Sequence, residues 1–343
     1  PRSRGGEWPP ASSGNSSDKP RHRSKEAVLM ELTEVSRQLL RENMGLKPGE
    51  TLLVLYDETT LRIGESLFEA GVALGAQAVA LRMPVLGRNG EEPFPVVSGA
   101  MAASDVVVAA TATSLTHTQA RKSACKAGAR VATMPKITED MFFNGPVTAD
   151  YNVVMELTRK VAACLDAAGT AELRSGGCVL TMSLEGRRGI VSGGIYRDKG
   201  ESGNLPTGEA YIAPIEGTAE GEAVIDGSFA GLGILREPLK LTFEKGLMVR
   251  AEGADAERLM AMLGGNPAAG NLAELGIGTN DKARVTGVIL EDEKIYGTVH
   301  IALGSNDTFG GTVAAGIHVD GIITRPELSL DGRVLVRDGK VLV

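Results

Sequence analysis

Residues 51–83 read TLLVLYDETTLRIGESLFEAGVALGAQAVALRM. An unbroken apolar run over 51–56 leads into a segment of helical period over about 60–74, closed by Gly75-Ala76, and a second apolar run follows over 78–83. The pattern repeats downstream as DVVVAA at 105–110, a helical stretch at about 116–127 and another apolar run at 129–134. Strands apolar on both faces, alternating with helices of about a dozen residues, read as βαβ units of a doubly wound parallel sheet. Such sheets take ligands at the carboxyl ends of their strands. The turn after the first run, Tyr56-Asp57-Glu58-Thr59-Thr60, lacks G-x-G-x-x-G, which argues against a dinucleotide site.

Upstream lies a helix over about 26–43 and a turn at Lys47-Pro48-Gly49-Glu50. Residues 1–24 are Pro, Gly, Ser and charge without apolar period, and we expect a disordered tail there. A further helix runs over about 150–169. From residue 178 the texture changes to short runs broken by Gly and Asp, among them LKLTFEKG, GTVHIALG and RVLVRDGKVLV, with one helix at 254–263. Runs bounded in this way predict antiparallel hairpins. The organisation expected is therefore an α/β domain over 25–165 and a mostly β domain over 166–343, the latter carrying the chemistry.

Composition narrows the function. The 343 residues hold 36 Lys+Arg against 43 Asp+Glu, a net charge of −7, and show no basic face for nucleic acid or anionic membrane. Aromatics at 4 % give no platform for stacking bases. No apolar run of about 18 residues is present, so no membrane span is expected. Three widely spaced cysteines, Cys125, Cys164 and Cys178, fit a reducing, cytoplasmic setting better than a disulfide scaffold. Neither G-x-S-x-G nor S-x-x-K occurs, leaving serine acylation without support.

The candidate chemistry sits late in the chain. On a strand, His318 and Asp320 at i, i+2 project from one face, which suits a pair of metal ligands or a core histidine oriented by a carboxylate. Glu209 in NLPTGE and Glu274 in NLAELGIGTN are lone carboxylates in uncharged surroundings, either beside a cation or exposed in loops. Glu291-Asp292-Glu293 before Lys294 reads as a solvated hairpin turn, or else Glu293 is a general base. In the first domain, His117 and Arg121 follow a strand at a helix start, where backbone N–H groups favour anions. They would grip a substrate carboxylate, or be surface residues behind a Thr116 N-cap.

The stretches NLPTGEAYIAP, NLAELGIGTN, EDEKIYGTVHIALG and GIHVDGII, in that order, resemble the metal-dependent aminopeptidases of the aminopeptidase T type. The resemblance implies a hydrolase in which two divalent ions (Zn, Co or Mn) are held by Glu209, Glu274, His300, His318 and Asp320. Glu274 would bridge them and Glu293 would act as acid/base. It also implies a small peptide or amide substrate and a homodimer. Where that family places a Tyr after its His, this chain reads Ser305-Asn306-Asp307-Thr308. The iron(II)-dependent dihydroxypyridine dioxygenases look like a related branch, keeping the His-x-Asp pair and placing a His near the position of Glu274. By that resemblance His300, His318 and Asp320 would offer a 2-His-1-carboxylate face for a single Fe(II).

Overall fold

The computed structural model describes residues 25–343, with side chains from Met30 onward, so the tail expected over 1–24 lies outside the described residues. The first sheet is parallel throughout, in the order Gln77–Arg82, Thr51–Tyr56, Val106–Ala110, Arg130–Thr133, Ser202–Asn204. Its strands are apolar on both faces because both are covered. Leu52, Val54, Val106 and Val108 pack into one cluster, and Leu53, Leu55, Val107 and Ala109 into another on the opposite side. The helices Leu61–Ala73 and Gln119–Ala127 fall where their period predicts, but the second starts later than residue 116. Thr118, with extended ψ, is its N-cap and accepts from Arg121 N–H. The expected Thr116 cap is therefore displaced by two residues.

The last strand of this sheet departs from the expected organisation. After the helix Tyr151–Ala167 and a first hairpin of the β region, Ser202–Asn204 returns to pair with Arg130–Thr133. The chain thus crosses back over the boundary read at residue 165. The 17-residue helix itself serves both cores: Tyr151 and Val154 join the α/β cluster, and Val161, Ala162 and Leu165 join the β cluster.

The remaining strands form two antiparallel sheets. One has eight strands, from Leu247–Glu252 at one edge to Lys340–Val341 at the other. The other has seven, in the order Gly233–Ile234, Ser228–Phe229, His318–Ile323, Val299–Gly304, Leu272–Gly278, Glu209–Ile212, Ile190–Ser192. One large cluster joins them: Leu173, Leu180, Leu241 and Phe243 of the eight-stranded sheet pack with Leu275, Ile277, Ile301 and Leu303 of the seven-stranded one. Alternation along the strands then turns the other face of the seven-stranded sheet away from this core. Among the described residues, no helix is long and apolar enough to cross a membrane.

Candidate metal centre

Four adjacent strands carry the candidate residues, and their register decides the geometry. Glu274 lies opposite Ala302, which lies opposite Asp320; Gly276 lies opposite His300, and Gly278 opposite Glu209. Paired residues share a face, so Glu209, Glu274, His300, His318 and Asp320 all project together, opposite to Leu275, Ile277, Ile301 and Leu303. Small residues between them leave the room. A Cβ on Gly276 would collide with His300 Nε2, so the glycine is what lets the imidazole lie across the neighbouring strand.

The side chains converge. Ligand-type atoms of Glu209, Glu274 and His300 lie within 4.8 Å of one another, and those of Glu274, His318 and Asp320 do the same. Glu274 belongs to both groups: Oε1 is 3.2 Å from His300 Nε2 and Oε2 is 3.5 Å from His318 Nε2. His318 Nδ1 donates to the Ser305 carbonyl at 2.8 Å, which leaves Nε2 to face Asp320 Oδ1 at 3.4 Å. That backbone hydrogen bond fixes the tautomer a metal-binding imidazole needs. The 2-His-1-carboxylate face read from His300, His318 and Asp320 is not the grouping that forms. Glu274 stands third beside His318 and Asp320, while His300 goes with Glu209 and Glu274.

Burial and like charge set the protonation states. Burial pushes the Glu274 carboxyl up, against the hydrogen bond from His300. Burial lowers His300, but the hydrogen bond to Glu274 and the charges of Glu209, Glu274 and Glu293 outweigh it and carry the imidazole up to about 9. His318, with 31 % of its side chain exposed, is likewise raised, burial being overcome by Asp320 and Glu274. Asp320 is held below its ordinary value: burial opposes this and the two histidines prevail.

The acidic stretch before Lys294 is not a solvated turn. It forms the short helix Ile289–Asp292, and Glu291, Asp292 and Lys294 are all buried. Asp292 accepts from Ser228 Oγ at 2.5 Å and from the Thr286 and Gly287 amides at 2.7 and 2.8 Å. Glu291 takes Arg284. With Asp292 and Glu291 Oε1 bonded within the protein, Glu293 and Lys294 turn to the site. Lys294 Nζ lies 2.6 Å from Glu209 Oε1 and also bonds Glu293 Oε1. Burial, with Glu209 and Asp320 adding to it against Lys294, raises the Glu293 carboxyl to about 8, a value that lets it exchange a proton near neutrality.

A cavity of about 470 Å³ opens beside this cluster, between the parallel sheet and the seven-stranded one. Glu209 and Tyr211 line one side; His117, Arg121, Lys122 and Asn204 line the other. Phe309 closes it, edge-on to Tyr211 (5.5 Å between centroids) and to His318 (5.7 Å). The Phe309 loop is pinned by Glu216, which accepts from Asn306 Nδ2 at 3.0 Å and Thr312 N at 2.8 Å. His117 and Arg121 thus reach the same cavity as Glu209. The helix N-terminus beside them does not offer free amides, because Glu92 accepts from Gln119 N and Ala120 N at 2.5 and 3.1 Å. Arg121 Nε is held by the Thr116 carbonyl at 2.8 Å. His117 is lowered by burial and by the charge of Arg121, so its ring is neutral near neutral pH.

Three site residues escape sequence reasoning: Lys294, Tyr211 and Phe309. Tyr211 follows Glu209 at i+2 on a strand and so shares its face, a signal available in the sequence. Lys294 and Phe309 depend on how two loops fold back. The residues present fit a divalent cation. The donors are carboxylate oxygens and imidazole nitrogens, and Glu209 Oε2 is buried without a hydrogen-bond donor.

Comparison with known proteins agrees with this architecture. The 2,5-dihydroxypyridine dioxygenase from Pseudomonas putida KT2440 superposes with a TM-score of 0.77 at 20 % identity, over 94 % of this chain and 98 % of that one. AmpT from Thermus thermophilus superposes with a TM-score of 0.69 at 18 % identity, over 92 % of this chain and 99 % of that one. Both branches of the resemblance drawn from the motifs therefore share the fold. No curated protein matches the chain. The family described as NicX: 2,5-dihydroxypyridine 5,6-dioxygenase matches residues 31–343. With nearly its whole described length matched, the chain belongs to the NicX family.

Proposed function

We propose that this protein is a one-metal dioxygenase that opens the ring of a small hydroxylated nitrogen heterocycle. The observation that carries the reading is the placement of Glu274, His318 and Asp320 beside a cavity walled by Tyr211 and Phe309. Family membership supports the same class of reaction. Iron(II) held by those three residues would supply the electron exchange with dioxygen that ring opening requires. The protein's own groups do the rest. Tyr211 and Phe309 offer an edge and a face to a flat ring. His117, Arg121 and Asn204 present donors to its polar rim from the opposite wall. Glu293, near neutrality in its titration, accepts the proton of a ring hydroxyl, and the Lys294 ammonium bonded to it favours its carboxylate form beforehand.

A second reading, an aminopeptidase-like hydrolase acting on a small peptide or amide, is favoured by one observation. The two oxygens of Glu274 face different histidines, as a carboxylate bridging two ions would. Glu293 would then serve as acid/base for a metal-activated water. An oxygen electrode separates the readings. Protein loaded anaerobically with iron(II) should consume oxygen when given 2,5-dihydroxypyridine, and Asp320→Asn should not. Absence of uptake, together with release of an amine from aminoacyl anilides by Zn-, Co- or Mn-loaded protein, would overturn the dioxygenase reading in favour of hydrolysis.

A further inference from the structure

Two cations on the cavity wall opposite Glu209 and Tyr211 have no acid within ion-pair distance among the described residues. Arg121 Nε donates to the Thr116 carbonyl at 2.8 Å and Nη1 to Ser202 Oγ at 3.2 Å, which leaves Nη2 without a partner there. Lys122 Nζ makes neither a hydrogen bond nor an ion pair among the same residues. We propose that Arg121 and Lys122 bind a carboxylate carried by the substrate, so that the ring this protein takes is an N-heteroaromatic carboxylate and not a bare hydroxylated ring. This rests on reading the cavity as the seat of a flat hydroxylated heterocycle, and it names a substituent which that reading leaves open.

The chain as a whole carries −7, yet this end of its cavity is positive. Of the two acids on the lining, Glu209 belongs to the metal cluster and bonds Lys294 through Oε1. Asp307 acts on the same His117 as Arg121 and Lys122 do, so one acid stands against two cations. Like charges gathered in a concave site focus the field and draw an anion. There is room for one: about 470 Å³ is of the size that receives drug-sized molecules, and it extends beyond a ring seated at Tyr211 and Phe309. Arg121 is also in place before a ligand arrives. Thr116 lies in the loop after Val106–Ala110, and Ser202 on the strand that crosses back to pair with Arg130–Thr133. A guanidinium fixed from two elements presents its remaining N–H groups in the planar fork that a carboxylate matches. A phosphate is the poorer fit. It would draw on the amides that open the helix Gln119–Ala127, and Glu92, which does not line the cavity, occupies those of Gln119 and Ala120.

Binding tests this apart from turnover. The full chain, loaded with iron(II), is titrated calorimetrically under nitrogen with 2,5-dihydroxypyridine and with 2,5-dihydroxypyridine-3-carboxylate. Wild type should bind the carboxylated ring roughly 10–100-fold more tightly, the range expected of hydrogen bonds to a charged group. Arg121→Met should bring the ratio of the two affinities close to one. Because that variant also loses the bonds to Thr116 and Ser202, Lys122→Met provides a second arm. Its side chain is exposed and bonds nothing in the fold, and its loss should lower the ratio several-fold with the melting temperature unchanged. Equal affinity of wild type for the two rings, or a ratio that either folded variant leaves untouched, would overturn the carboxylate assignment while the ring reading stands. If neither ring binds, the ring reading itself falls and takes this proposal with it.

Discussion

The strands Val106–Ala110 and Val299–Gly304 are both buried along their whole length, yet they do opposite jobs. The first, VVVAA, is apolar on both faces because helices cover both. The second, VHIALG, gives Val299, Ile301 and Leu303 to the core between the antiparallel sheets and His300 to the carboxylate cluster. Burial alone therefore does not mark core. The alternation within a buried strand separates the side that stabilises from the side that acts.

Substitutions on the two faces of the neighbouring strand Leu272–Gly278 should break this comparison cleanly. On the site face, Glu274→Ala should abolish metal uptake altogether, measured as metal per chain after dialysis, because no other residue belongs to both ligand groups. On the core face, Ile277→Ala should cost ~2–5 kcal/mol in urea unfolding, as deletion of a buried aliphatic side chain does, with metal content unchanged. Between them sits Gly276→Ala. Its new methyl would displace His300, and as a disturbance of a supporting group it should weaken metal binding roughly 10–100-fold. If Gly276→Ala and Ile277→Ala gave the same profile, the division into faces would be wrong.

Titration sharpens the same contrast, since of the two faces of Leu272–Gly278 and Val299–Gly304 only the site face carries titratable side chains. In the metal-free protein His300 is carried up to about 9 and Glu293 to about 8, each above its value in an unfolded chain. For such groups the folded state binds more protons than the unfolded one, so stability falls as pH rises. The contribution of His300 is complete below its unfolded value near 6.5 and is lost as pH climbs through 9. Metal binding must displace the same protons, so affinity should grow over that window. The melting temperature of the metal-free protein should thus fall by several degrees from pH 6.5 to 9, and the gap between metal-free and metal-loaded protein should widen. Parallel curves would mean that metal does not meet these groups.

Much of this was legible beforehand. The unbroken runs over 51–56 and 105–110 are enough to announce a parallel sheet covered on both sides. The spacing of His318 and Asp320 announces a shared face. The motifs around Glu209, Glu274 and His300 resemble known metal enzymes, and register then brings all three together. What sequence could not show are features made by distant closure. Lys294 follows three acids and reads as part of a solvated turn. It is buried only because Ser228, Thr286 and Arg284 meet Asp292 and Glu291 from elsewhere in the chain. Ser202–Asn204 has no apolar pattern, since a three-residue edge strand needs only backbone partners. Glu92 is 27 residues from the helix start whose amides it occupies.

That last contact yields the smallest effect. Thr118 Oγ1 accepts from Arg121 N at 3.2 Å while Glu92 accepts from the two amides before it, so side chains satisfy the first turn of the helix Gln119–Ala127 without any ligand. Thr118→Ala should cost about 1 kcal/mol in urea unfolding, the usual loss for a removed cap, and should leave metal content alone. Arg121 leaves this same turn to reach the cavity, with its Nε on the Thr116 carbonyl. Fraying there would loosen the cationic wall that faces Tyr211 and Glu209. Thr118→Ala should therefore weaken substrate binding several-fold while metal affinity stays fixed. If substrate and metal affinity fell together, the cavity's two walls would not be the separate parts that their two sheets make them.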